Sequence, residues 1–105
     1  MDEVLDKLAE CNRHGKPVCL CVIVKTEGAV PRHAGSKMLV FSDGETIGTV
    51  GGGGVEAEVT QAALEALRSG KPALLHYSLK AQNEGSVGVC GGEVDIYLEP
   101  FLAKP

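Results

Sequence analysis

Three short clusters in this sequence hold the residue types that could do chemistry. The first is the unbroken run Gly51, Gly52, Gly53 and Gly54, placed between a strand-like segment and a helix-like one. A helix N-terminus exposes unpaired N–H groups and carries partial positive charge. Glycines ahead of it let backbone donors approach an anion closely. The run therefore reads as a phosphate cradle. It is not a Walker loop, because no Gly-Lys-Ser/Thr follows, and the residues after Gly53 do not complete a dinucleotide fingerprint. Glu56 and Glu58 in the first helical turns count against an anion. A tight strand-to-helix turn accounts for the same glycines.

The second cluster is Gly85-Ser86-Val87-Gly88-Val89-Cys90-Gly91-Gly92. A cysteine among small residues is sterically accessible, which is half of what a reactive thiol needs. The other half is a lowered pKa from nearby positive charge or a helix start. A cysteine in a plain glycine turn before a strand is the competing reading. The third cluster runs from Glu27 to Lys37. Pro31 and two glycines fix a loop that presents Arg32, His33 and Lys37, and with Lys25 these form the one local concentration of positive charge. Loop cations are usually solvated surface, yet cations beside glycine loops in an acidic chain suit an anionic ligand. His76, on an apolar strand, reads as a core histidine rather than a ligand.

Elements must position these clusters. Residues 2–14 carry apolar positions at helical spacing, stopped by Gly15 and Pro17. Residues 18–24 are continuously apolar and β-branched, as in a central strand. Residues 37–41 and 45–50 flank Ser42-Asp43-Gly44 as a β-hairpin. Residues 55–69 form a second helix with Val55, Val59, Ala62, Ala63, Ala66 and Leu67 on one stripe, ended by Gly70 and Pro72. Residues 73–79 read as a strand. In residues 93–99 Val94, Ile96 and Leu98 alternate with Glu93, Asp95, Tyr97 and Glu99, and Pro100 ends the run. The order predicts one domain of α/β or α+β class, a mixed sheet with about two helices packed on it. There is no internal repeat, linker or second domain.

Composition narrows the function classes. The chain has 105 residues, 44% hydrophobic, which fits one globular domain. Its net charge of −4, without a basic run, disfavours nucleic acid. The longest apolar run, 18–24, is far too short to span a bilayer. The acidic start Met1-Asp2-Glu3 has no signal-peptide pattern, so the cytoplasm is the expected compartment. The 14 glycines are twice the average of about 7 for this length, and the excess lies in the clusters. Cys11, Cys19 and Cys21 read as buried core residues. A zinc site from Cys11, His14, Cys19 and Cys21 matches no standard spacing.

In this order the three clusters resemble the N-terminal domain of the XdhC/CoxI family, the xanthine dehydrogenase and carbon monoxide dehydrogenase accessory proteins. The resemblance rests on Thr26, Gly28, Pro31-Arg32, Gly35, Lys37-Met38, Gly48, Gly52-Gly53, Glu56, Cys90-Gly91-Gly92 and Glu99-Pro100, and it covers nearly the whole chain. It implies a chaperone for the molybdenum cofactor in its molybdopterin form. Such a protein binds the cofactor, allows its sulfuration by a cysteine desulfurase, and delivers it to an apo molybdenum hydroxylase. The implied site has Gly52, Gly53 and Gly54 at the phosphate, Arg32 and Lys37 neutralising charge, and Cys90, with Gly91 and Gly92, near the molybdenum. Glu56 is the family glutamate, a ligand contact or a holder of the loop. Gly54 stands where the family pattern has cysteine, so any thiol role converges on Cys90. Longer members carry a C-terminal Rossmann-like domain that this sequence lacks. A separate partner with that domain, or a homodimer, is left open. An accessory role is expected rather than an enzyme. The alternatives are a small cysteine-dependent enzyme using Cys90, or an interaction module whose acidic strand face (Glu93, Asp95, Glu99) docks a partner.

Overall fold

The computed structural model describes residues 2–30, 32–78 and 92–102. Cys90 and Gly91, to which the sequence assigns a thiol and a glycine turn, lie outside the described residues, as does Pro31. Helix α1 spans Glu3–Arg13, and Asp2 caps it. The Asp2 Oδ1 accepts from the amides of Val4 at 2.9 Å and Leu5 at 3.2 Å, satisfying two of the first-turn donors. Strands β1 (Val18–Glu27), β2 (Lys37–Phe41) and β3 (Thr46–Gly48) follow, then helix α2 (Gly53–Ser69), β4 (Ala73–Ser78) and β5 (Glu93–Phe101). In the β2–β3 turn Gly44 takes φ +90°, as the Asp-Gly pair predicts.

The sheet order is β3-β2-β1-β5-β4, and every described ladder is antiparallel. The class is α+β, with two helices on a five-stranded sheet. The sheet is thus antiparallel where a mixed one was expected. Helix α2 does join two strands that run the same way, β3 and β4, as a crossover should. It carries the chain from one edge of the sheet to the other, so those strands never become neighbours.

The strand period of two sorts side chains between two cores. On one face Cys19, Cys21, Ile23, Met38, Val40, Val94, Ile96 and Leu98 meet Val55, Val59, Ala63 and Ala66 of α2. On the other, Val18 and Leu39 meet Val4 and Cys11 of α1. Cys11, Cys19 and Cys21 are free thiols and all buried, as expected. No helix among the described residues is long and apolar enough to cross a membrane.

Two boundaries differ from expectation. Strand β5 runs through Pro100 to Phe101. Its ladder with β4 starts at Ala73 opposite Leu98, so beyond Leu98 that side of β5 is an edge, where a missing N–H costs no ladder bond. Strand β3 is only three residues long. Gly48 at φ +83° turns the chain away before Val50.

Candidate functional site

Antiparallel order decides which loops meet. Strand β1 ends, β2 begins, β3 ends, α2 begins, β4 ends and β5 begins at the same edge of the sheet. Residues 28–36, 49–52 and the Gly92 entry to β5 therefore gather at one end. The glycine run and the described part of the cation loop belong to this end, as does Gly92 of the second cluster.

The glycine run forms the mouth of α2. Gly51, Gly52 and Gly53 take φ of +142°, +76° and +61°. Gly52 is the N-cap, with ψ −178°, and no side chain caps the helix. First-turn amides are thus left without a side-chain acceptor. A Cβ on Gly52 would meet nothing within 4 Å, so the space before the mouth is open. An uncapped N-terminus facing open space suits a phosphate group. Gly54 is not among the positive-φ glycines, so its backbone would accept the cysteine of the family pattern.

Glu56 does not project in front of this mouth. Thr49 Oγ1 donates to Glu56 Oε2 and accepts from the Gly51 amide at 3.1 Å. The pair ties the exit of β3 to the first turns of α2, and Glu56 holds the loop. Thr49 was not singled out from sequence. A hydroxyl two residues before a glycine run, with a carboxylate seven further on, is the only signal it gives.

The cation loop is anchored to β1 at its C-terminal end. The Gly35 amide donates to Ile23 O at 2.7 Å, and the Ile23 amide to Ser36 O at 3.0 Å. Val30 packs on the α2-side core. Arg32 and His33 are exposed. Lys37 is half-buried and engaged: its Nζ donates to Gly35 O at 2.8 Å and lies 3.4 Å from Asp2 Oδ2. The Leu5 amide first, with Lys37 adding, holds the Asp2 carboxyl below its ordinary range. Lys37 thus joins the cation loop to the cap of α1. Gly92 is also a packing residue. A Cβ there would lie 2.2 Å from Ala29 O and 2.6 Å from Glu27 O. Only a glycine lets the start of β5 pass beneath the loop after β1.

His76 corrects the sequence expectation of a core histidine. It is exposed, with Nδ1 2.5 Å from Asp95 Oδ1 and Nε2 2.9 Å from Glu93 Oε1. The Asp95 hydrogen bond, more than Glu93, raises its pKa. Among the described residues helix α1 packs mainly on β1, β2 and β3, and the outward-facing Leu74 and His76 of β4 are exposed. Among the described residues no three His, Cys, Asp or Glu could together hold a metal, and Cys11 lies on the opposite face from Cys19 and Cys21. Two concavities, of about 410 Å³ beside Lys16, Phe41 and Asp43 and about 380 Å³ beside Leu64 and Arg68, lie at the far end of the sheet.

Comparisons with known proteins agree with this geometry. Residues 11–78 match the sequence model of the XdhC and CoxI family. The chain is 33% identical over 103 residues to the uncharacterized protein YqeB of Escherichia coli K12, covering 97% of this chain and 19% of that one. It is 33% identical over 106 residues to the molybdenum cofactor insertion chaperone PaoD of the same organism, covering 95% and 33%. A crystal structure from Bacillus halodurans, described as a xanthine dehydrogenase, superposes with a TM-score of 0.78 at 27% identity, covering 95% of this chain and 30% of that one. The chain thus spans about a fifth to a third of the length of the relatives it matches.

Proposed function

The chain belongs to the XdhC and CoxI family, and from that premise we propose that it handles the molybdenum cofactor as an accessory module. It holds the molybdopterin form at the glycine-loop end of the sheet while the cofactor is sulfurated by a cysteine desulfurase and passed to an apo molybdenum hydroxylase. The observation that carries this reading is the uncapped, glycine-lined start of α2, held open by the Thr49–Glu56 contact. The name of the PaoD relative, a molybdenum cofactor insertion chaperone, supports the choice of ligand.

The residues present fit the phosphate end of such a ligand. The amides of the α2 first turn receive the phosphate, where the helix dipole favours negative charge. Arg32, exposed on the adjacent loop, adds a guanidinium suited to two-pronged phosphate contact. Lys37 orients that loop through Gly35 and Asp2 rather than touching the ligand. Glu56 and Thr49 keep the turn in shape. When bound, the cofactor itself supplies the metal and its sulfur ligands. Cys90, with Gly91, is the proposed thiol beside them. A separate protein carrying the Rossmann-like domain of longer members is the proposed working partner, and the cytoplasm the proposed compartment.

Native mass spectrometry of gently purified protein tests the reading. A bound pterin phosphate is the expected result. Arg32→Ala should weaken that binding with little loss of stability, because exposed charges contribute at most about 1 kcal/mol to folding. Titration with NAD or NADP should show no tight binding. Absence of any pterin, together with tight dinucleotide binding, would overturn the proposal.

A further inference from the structure

Strand β1 places Cys19 and Cys21 two residues apart on the face that α2 covers, and neither has any exposed surface. Both side chains belong to the same buried cluster, and the Cys19 Sγ also lies 4.0 Å from the Leu20 carbonyl oxygen. Met38 stands directly opposite Cys21 in the β1–β2 ladder, is equally buried, and belongs to the same core cluster. Directly opposed antiparallel residues have Cβ atoms about 5 Å apart. Two thiols and a thioether therefore share one dry patch. No polar or charged residue is fully buried among the described residues, and the polar side chain packed against this cluster is the half-buried Tyr77, a phenol rather than an imidazole or carboxylate. Cys11 lies across the sheet in the other core.

Donor chemistry selects the ion. Thiolate and thioether ligands without imidazole or carboxylate favour soft ions such as Cu(I). Zinc would need four ligands, and magnesium or calcium would need oxygens. Same-face residues two apart on a strand are about 6.6 Å apart along the chain. Two sulfurs on opposite sides of one ion are about 4.6 Å apart, taking about 2.3 Å per metal–thiolate bond. Side chains on one face of a strand close that gap by rotating about their Cα–Cβ bonds.

We propose that Cys19 and Cys21, with Met38 as a third donor, form a buried binding site for a single soft monovalent ion, Cu(I). Binding involves no redox change. Each thiol S–H bond breaks, its electron pair forms a sulfur–copper bond, and its proton passes to solvent, while Met38 donates a lone pair. One Cu(I) thus replaces two protons. Affinity should rise about 100-fold per pH unit while both thiols are protonated in the free protein.

The test is competition for Cu(I) held as its bicinchoninate complex, under oxygen-free reducing conditions, with the full chain. The expected result is withdrawal of one equivalent, release of two protons and a raised thermal midpoint. The Cys11→Ala/Cys90→Ser double variant, whose remaining thiols are Cys19 and Cys21, should behave as the wild type. Cys19→Ala/Cys21→Ala should lose the site, and Met38→Leu should weaken it while keeping the stoichiometry. If the Cys11→Ala/Cys90→Ser protein withdraws no copper, or withdraws it without releasing two protons, the proposal is overturned. That variant decides the matter even if the core double variant does not fold.

Discussion

Replacing Gly92 with alanine should destabilise this domain more than the same change at a glycine with open space around it. The added Cβ would lie 2.2 Å from Ala29 O, 2.6 Å from Glu27 O and 2.7 Å from Val30 Cγ1. An ordinary close carbon–oxygen approach is about 3.3 Å, so the first contact must open by roughly 1 Å. The two nearest obstacles are backbone carbonyls, and no side-chain rotation relieves them. Overpacking of this kind costs about 3 kcal/mol at the upper end of its usual range. Loss of glycine freedom in the unfolded chain offsets up to about 1 kcal/mol. A net loss of about 2 kcal/mol lowers the thermal midpoint of a domain this size by roughly 8–16 °C. Gly15→Ala is the control. It has φ +68° and nothing within 4 Å of the new Cβ. It bears only the left-handed cost of about 1–2 kcal/mol, with the same offset. Far-UV circular dichroism melts of both variants settle the comparison. A drop for Gly92→Ala no larger than for Gly15→Ala would refute the close-approach argument.

Thr49→Val removes the hydroxyl shared by Gly51 and Glu56. It should cost about 1.5–3 kcal/mol, the range for a hydrogen bond to a charged group, and speed amide exchange at Gly51, read by NMR. Gly54→Cys should fold with an unchanged or higher thermal midpoint, since Gly54 does not need positive φ; a clear drop would show that the turn requires glycine there. The His76 clasp should depend on pH. Its pKa is raised in the folded state above the ordinary histidine value of 6.5. Its stabilisation is therefore fully present below about pH 6.5 and lost as pH rises through the folded value. The protection factors of the β4–β5 amides, with the intrinsic pH dependence of exchange divided out, should fall across that window in the wild type but not in His76→Ala. Brief alkylation of the native protein should leave Cys11, Cys19 and Cys21 unmodified and label Cys90.

Local chemistry made much of this legible in advance. The Asp43-Gly44 turn, the glycine stop at Gly70 and the alternation in residues 93–99 each depend on neighbours in the chain, and each is present. Burial of Cys19 and Cys21 followed from a strand that is apolar on both faces. What stayed hidden depends on partners far along the chain. Lys37 looked like a free cation because nothing local reveals that Asp2 would sit beside it. His76 looked buried because its exposure turns on how far α1 reaches across the sheet. Gly92 looked like part of a ligand loop, whereas its neighbours are carbonyls more than sixty positions earlier. Pro100 read as a terminator because only the start of β4 reveals that β5 is an edge there.

The cofactor phosphate is proposed to bind at the glycine-loop end and not in the concavities at the opposite end. Amide chemical-shift mapping of the isotope-labelled protein, titrated with the molybdopterin cofactor, tests it most directly. Saturable shifts concentrated at Gly51, Gly52, Gly53, Gly54 and Val55 are expected, with smaller ones at Arg32 and His33. No change is expected at Lys16, Ser42 or Asp43. Shifts confined to those last three residues, or a titration that moves no amide at the start of α2, would contradict it.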